Sequence, residues 1–403
     1  MSASSRFTSA AALVAALVFL ASWAALHRGF YADEEIVDIP VYETYGNAIE
    51  RGKLPYRDFR LEYPPAALPV FALPALVSER GDQPAFRAAF ERTMAVLGVA
   101  TALLAGLLLA GLGASRVRVA GALAAVALFP LVLGNVLLTR FDLWPAALVA
   151  AALAALVHGR DRIGFGVLGL AVAAKLYPAV LVPLALSYVW RRRGRREALV
   201  CLAVLGGVVA VAFVPFLVLA PDGVAYSLGR QLGRPLQIES LGSAFFLAAH
   251  HVFGLELEMR SGHGSQNLDG LGPAIAGVVV SVAQLVALVW IWLRRPGTAE
   301  ELVRWCAAAL VAFVALGKVL SPQFLIWLVP LVPLVAGRRG LGAVSLLALA
   351  AALTQLWFPY RYWELALEFD ELASWLVVAR DLVLVALLAV LVTGSRRAPA
   401  RSP

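Results

Sequence analysis

Apolar runs follow one another along almost the whole chain, parted by short arginine-bearing stretches and by two longer polar segments. A helix needs about 20 apolar residues to cross a bilayer. On that measure the pattern predicts twelve spans: 8–26, 94–113, 119–138, 141–157, 163–177, 178–190, 198–220, 271–293, 302–318, 322–336, 340–357 and 373–393. Several are short, and 163–190 reads as two half-helices meeting near Tyr177 and Pro178. The run 64–78 carries Pro64, Pro65, Pro69 and Pro74, which predicts an interfacial or re-entrant element. The expected fold class is an all-α polytopic membrane protein of about twelve transmembrane helices, with residues 1–403 as one membrane-embedded domain.

Composition supports this. Hydrophobic residues make up 61% of the chain and charged residues 15%, with a mean hydropathy of +0.81. Soluble globular chains carry about 25% charged residues. So few charges cannot cover a water-facing surface, which excludes disordered, collagen-like and disulfide-scaffold classes. A net charge of +8 would suggest nucleic acid in a soluble protein, but here the basic residues gather in short loops and no nucleic-acid partner is expected. Cys201 and Cys306 lie in apolar runs without metal-ligand spacing.

The basic loops also give an orientation. With both termini in the cytoplasm, the cytoplasmic segments carry a net +13 and the rest of the chain −5. Residues 191–196 then act as a topology determinant beside anionic lipid. Residues 27–93, 221–270 and 358–372 lie outside, and 394–403 form a cytoplasmic tail of a multi-pass plasma-membrane protein. The first run is expected to be a retained helix. The alternative is a cleaved signal peptide, with Ser22, Trp23 and Ala24 as a loose cleavage site.

The densest polar cluster follows that first helix. Asp33, Glu34, Glu35 and Asp38 place four carboxylates within six residues. A carboxylate there could serve as a general base or ligate a divalent cation through oxygen; a solvated acidic loop is the rival reading. Arg140, Lys175 and Lys318 stand at predicted outer helix ends, with Arg57, Arg60, Arg230, Arg234 and Arg361 in the loops. Such cations suit a phosphate, arginine by its paired N–H donors and lysine as a point charge. Snorkelling is the alternative for Lys175 and Lys318, and a local pair with Asp142 the alternative for Arg140. Arg380 and Asp381 read as neighbouring charges that neutralise one another. Tyr42, Tyr45, Tyr56 and Tyr63 suit either sugar stacking or an interfacial aromatic belt. The histidines lack metal spacing.

Several of these stretches carry a family resemblance. Asp38-Ile39-Pro40-Val41-Tyr42, Tyr45-Gly46, 52–59 and Glu62-Tyr63-Pro64-Pro65 resemble the first extracytoplasmic loop of the GT-C glycosyltransferases, most closely the polyprenyl-phosphate-mannose-dependent family 87. Ala174-Lys175-Leu176-Tyr177-Pro178 and the stretch Ser321-Pro322-Gln323 through Trp327 are similar to later elements of that family. The resemblance implies a GT-C-like fold and an inverting hexosyltransferase, mannosyl in preference. Its donor would be a polyprenyl-phosphate sugar and its acceptor a glycolipid or glycan outside the cytoplasm. Asp38 would be the catalytic base, and Tyr42, Arg57, Glu62, Tyr63, Arg140, Lys175, Lys318 and Gln323 would contact substrate. No resident cofactor or metal site is expected, although an Asp-x-Asp motif is absent and the need for a divalent cation stays open. A secondary transporter and a non-catalytic scaffold of envelope assembly are the rival classes.

Overall fold

The computed structural model describes residues 3–32 and 36–393. Helix α1 (Ala3–Ala25) leads through a loop to the short α2 (Ile39–Glu50) and α3 (Leu68–Val77). Then come α4 (Gln83–Gly111), α5 (Arg116–Leu133), the one-turn α6 (Val136–Thr139), α7 (Leu143–Val157), α8 (Asp161–Ala174), α9 (Val182–Arg193) and α10 (Arg195–Leu219). The second polar segment folds as α11 (Pro221–Leu232), α12 (Leu241–Phe253) and a hairpin of β1 (Glu258–Gly262) and β2 (Ser265–Asp269). The chain closes with α13 (Leu271–Trp292), α14 (Ala299–Ala315), α15 (Gly337–Trp357), α16 (Tyr362–Glu368) and α17 (Glu371–Val392).

Seven helices among the described residues are long and apolar enough to cross a membrane: α1, α4, α5, α10, α13, α15 and α17. The protein is a helical, multi-pass membrane protein. The other five expected spans take different forms. α7, α8, α9 and α14 are shorter, and α7 and α14 are buried along nearly their whole length by other helices. The run 322–336 is no α-helix; it forms 3-10 turns at Pro322–Leu328 and Val332–Leu334. Pro322, Pro330 and Pro333 remove backbone donors there. Irregular backbone at membrane depth is tolerated where protein covers it, and this run is almost wholly buried. The first loop is also shorter than expected, because α4 starts at Gln83, where Asp82 caps it through Ala85 N at 2.9 Å. Residues 64–78 form a 3-10 turn and then α3, packed on α2; a Cβ on Gly46 would sit 2.4 Å from Phe71 O.

Close helix contacts depend on small residues, as membrane packing requires. Phe19 of α1 occupies the notch that Gly98 leaves on α4, and a Cβ at Gly98 would lie 2.0 Å from its ring. Ala12 fills the notch at Gly106 in the same way. α1 is thus packed against α4.

The arginine-bearing loops meet at one end of the bundle. Arg118 at the start of α5 grips both oxygens of Glu300 at the start of α14, at 2.5 and 2.8 Å. Arg162 does the same to Glu197 at 2.8 Å for each oxygen. Arg304 donates to Leu391 O at 2.8 Å and Thr393 O at 3.1 Å, satisfying carbonyls that the end of α17 leaves unpaired.

Candidate active site

At the other end, the helix termini and polar loops enclose a cavity of about 630 Å³. Asp38 stands just ahead of α2 on its rim, with its side chain 34% exposed. Pro40 in the first turn of α2 has no N–H to lose, so the helix starts immediately after the aspartate. The Tyr42 hydroxyl, one helical turn on, donates to Asp38 Oδ2 at 3.2 Å. Arg140 forms an ion pair with the same oxygen and donates through Nη2 to Ile36 O at 3.1 Å. The Arg140 side chain is only 7% exposed, and its Nε has no hydrogen-bond partner among the described residues.

The local Arg140–Asp142 pair considered from sequence does not form. Arg140 is extended (φ −120°, ψ 140°), whereas Asp142 begins α7, so the two side chains reach different partners. Asp142 instead accepts from Lys175 Nζ and from Trp327 Nε1, each at 2.5 Å. Lys175 follows the last turn of α8, and its ammonium lies 4.6 Å from the Phe141 ring centroid and 5.1 Å from that of Trp327. Trp327 stacks between Tyr177, at 4.1 Å and 5°, and Phe324, at 4.0 Å. The Tyr177 hydroxyl is buried on the cavity wall without a partner among the described residues.

A third group closes the wall. Glu62 pairs with Arg230 of α11 at 2.5 Å, and Gln231 Nε2 donates to Glu62 O at 3.0 Å. Lys318 follows α14, lines the cavity and donates through Nζ to Leu232 O at 3.2 Å. Tyr63 and Gln323 also line it.

Eight of the nine residues that the family resemblance assigned to the base or to substrate contact therefore border this cavity: Asp38, Tyr42, Glu62, Tyr63, Arg140, Lys175, Lys318 and Gln323. Arg57 does not. It sits in an exposed turn, bound to Asp58 at 2.9 Å, and the guanidinium's hydrogen bond holds the Asp58 carboxyl down at about 2. Tyr42 contributes its hydroxyl and not its ring, which is 1% exposed and packed on Phe71 at 4.8 Å and Phe90 at 5.2 Å. Asp33, Glu34 and Glu35 lie outside the described residues. Sequence reasoning passed over Gln237 and Glu239 as wall residues. Among the described residues, no three His, Cys, Asp or Glu side chains converge as a metal site, and Asp38, Glu62 and Asp142 each face a cationic side chain.

The cavity thus brings Asp38 on its rim together with Arg140, Lys175, Arg230 and Lys318 and a wall of aromatic rings. Residues 61–322 match glycosyltransferase family 87, and the chain belongs to that family. The match begins beyond Asp38 and includes Glu62, Arg140, Lys175 and Lys318. A comparison with curated proteins finds no match. Among solved structures, the crystal structure of ArnT from Cupriavidus metallidurans bound to undecaprenyl phosphate is similar, with 14% identity and a TM-score of 0.49 over 94% of this chain and 75% of that one.

Proposed function

We propose that this glycosyltransferase is of GT-C type and moves a hexose, mannose in preference, from a polyprenyl-phosphate donor to a hydroxyl of a glycolipid or glycan outside the cytoplasm. The observation that carries the reading is the meeting of Asp38 with Arg140 and Lys175 in one cavity. A sugar on a lipid phosphate brings its own leaving group, so the departing phosphate needs cations more than it needs a proton. The acceptor hydroxyl needs a base. Asp38 is half-open to the cavity mouth and takes that proton as the hydroxyl attacks the anomeric carbon. The C–O bond to phosphate breaks on the opposite face, which inverts the centre. Lys175, Arg140, Lys318 and Arg230 hold the phosphate that leaves. Exclusion of water by the packed aromatic wall strengthens each of these interactions.

The same reading puts both termini and the arginine-rich end in the cytoplasm and the cavity outside. Cys201 and Cys306 are buried, so introduced cysteines report cleanly. Cysteines at the exposed positions Glu79 and Ser261 should label with an impermeant reagent in intact cells, and one at Arg195 should not. The decisive assay is transfer of radiolabelled hexose by the purified protein in lipid. Transfer from polyprenyl-phosphate hexose and none from nucleotide hexose is expected; the converse would overturn the proposal.

A further inference from the structure

One buried carboxylate of the cavity has no task in the transfer step. Residues 236–240 run antiparallel beside the hairpin: Ile238 N donates to Gln266 O and Leu268 N to Leu236 O, both at 3.0 Å. Gln237 N donates to Lys318 O at 2.9 Å. From the opposite side, Arg380 of α17 donates through Nη2 to Glu239 O at 2.6 Å. Arg380 and its ion-pair partner Asp381 are both fully buried midway along that helix, so the segment is anchored to the bundle interior.

This anchoring fixes the Glu239 side chain, which lines the cavity and is only 2% exposed. Its Oε1 accepts from Gln237 Nε2 at 2.9 Å, and the same amide donates to Ser321 Oγ at 3.0 Å. Its Oε2 is buried on the cavity wall and has no hydrogen-bond partner among the described residues. A buried acceptor left unmade is costly, and one on a residue that lines a cavity can be completed by a ligand that enters there. Its ligand must bring a donor. A phosphate brings none and is repelled by a carboxylate, while Arg140, Lys175, Arg230 and Lys318 already suit it. A neutral hydroxyl fits the vacant oxygen.

We propose that Glu239 is a specificity-determining residue whose Oε2 accepts a hydrogen bond from a hydroxyl of a bound sugar. The inference rests on the transfer reading above. The shared chemistry is a sugar hydroxyl, from either the transferred sugar or the acceptor.

The test uses the full chain in lipid. Donors are polyprenyl-phosphate mannose and its monodeoxy analogues; acceptors are octyl mannoside and its monodeoxy analogues. The wild type should lose about 10- to 100-fold in kcat/KM at one deoxy position, the cost of leaving one buried acceptor without its hydrogen bond. The series containing that position identifies the sugar. Glu239→Ala should lose a similar factor with the intact sugar and almost nothing further with that analogue. Glu239→Gln, which keeps size and an acceptor oxygen, should fall between and retain part of the discrimination. A variant that slows every analogue by one common factor, leaving the deoxy pattern of the wild type intact, would assign Glu239 a structural role and overturn the proposal. Wild-type protein that transfers from no lipid phosphate overturns the transfer reading and this inference together. An active wild type with an unchanged deoxy pattern in both variants overturns only the role of Glu239.

Discussion

Arg118 and Arg140 show how differently the two ends of the bundle use the same side chain. At the arginine-rich end, Arg118 is gripped by both oxygens of Glu300 and also donates to Leu334 O. Arg162 is held by Glu197, and Arg304 by the last carbonyls of α17. Those contacts join helix ends. At the cavity end, Arg140 is more deeply buried yet less completely bonded, and the Tyr177 hydroxyl and Glu239 Oε2, on residues lining the same cavity, have no hydrogen-bond partner among the described residues. Buried polar atoms without a hydrogen-bond partner also occur elsewhere among the described residues, at Asp161, Trp357 and the Arg380–Asp381 pair, but those of Arg140, Tyr177, Arg234 and Glu239 gather around one cavity. Polar atoms left open around one cavity mark where a ligand completes the set.

The largest test of that contrast is Asp38→Asn, which keeps size but cannot take a proton at neutral pH. General-base assistance is worth about 10²–10⁴-fold, and turnover per folded molecule should fall by that order. Near-normal turnover in a folded variant would send the search for the base to another carboxylate of the first loop.

Next comes Lys175→Met. It strands Asp142, which is 1% exposed, without its cation. Breaking a buried pair from one side costs about 3–5 kcal/mol, which thermal unfolding in lipid should register together with lost transfer. Adding Asp142→Asn should restore much of the stability but not the transfer. Recovery of both would make Lys175 a structural cation only.

A smaller effect is expected at the opposite end. Arg118→Gln loses bonds to a carboxylate, but Glu300 is 42% exposed, so solvent screening leaves the pair worth about 1 kcal/mol or less. A slightly lower midpoint with unchanged kcat/KM per folded molecule is the outcome to look for; a loss of transfer would show that the two ends are coupled.

The smallest concerns Arg57 and Asp58. The folded carboxyl of Asp58 is depressed to about 2 by Arg57, below the ordinary value near 3.9. Any contribution is therefore present above about pH 4 and lost as pH falls toward 2. The pair is fully solvated, so Asp58→Asn should leave both the acid profile of the midpoint and turnover indistinguishable from wild type. A changed turnover would return Arg57 to the site.

Much of this was readable in the chain itself, for reasons that also explain the failures. The long spans were legible because lipid admits only continuous apolar helices. Residues 322–336 were not, because hydropathy scores burial in protein and burial in lipid alike; only the spacing of Pro322, Pro330 and Pro333 hinted at turns. Asp38, Lys175 and Lys318 stood out as charges beside apolar runs. Glu239, between Ile238 and Ser240, was passed over, because its meaning depends on Arg380, 141 residues away. Arg57 was misread for the complementary reason: its motif is local, and its local partner Asp58 takes it away from the cavity.

Trp327 has a practical consequence. Its indole N–H is bonded to Asp142, whose negative charge is balanced by Lys175, and its ring is sandwiched between Tyr177 and Phe324. A phosphate that draws the Lys175 ammonium toward itself alters the field across that indole, and tryptophan emission follows the local field. The chain has ten tryptophans, so the signal is the difference between wild type and Trp327→Phe. If the donor is the lipid phosphate proposed above, Trp327 is an intrinsic optical reporter beside the cavity, and adding unlabelled lipid should change the emission of the wild type but not of Trp327→Phe.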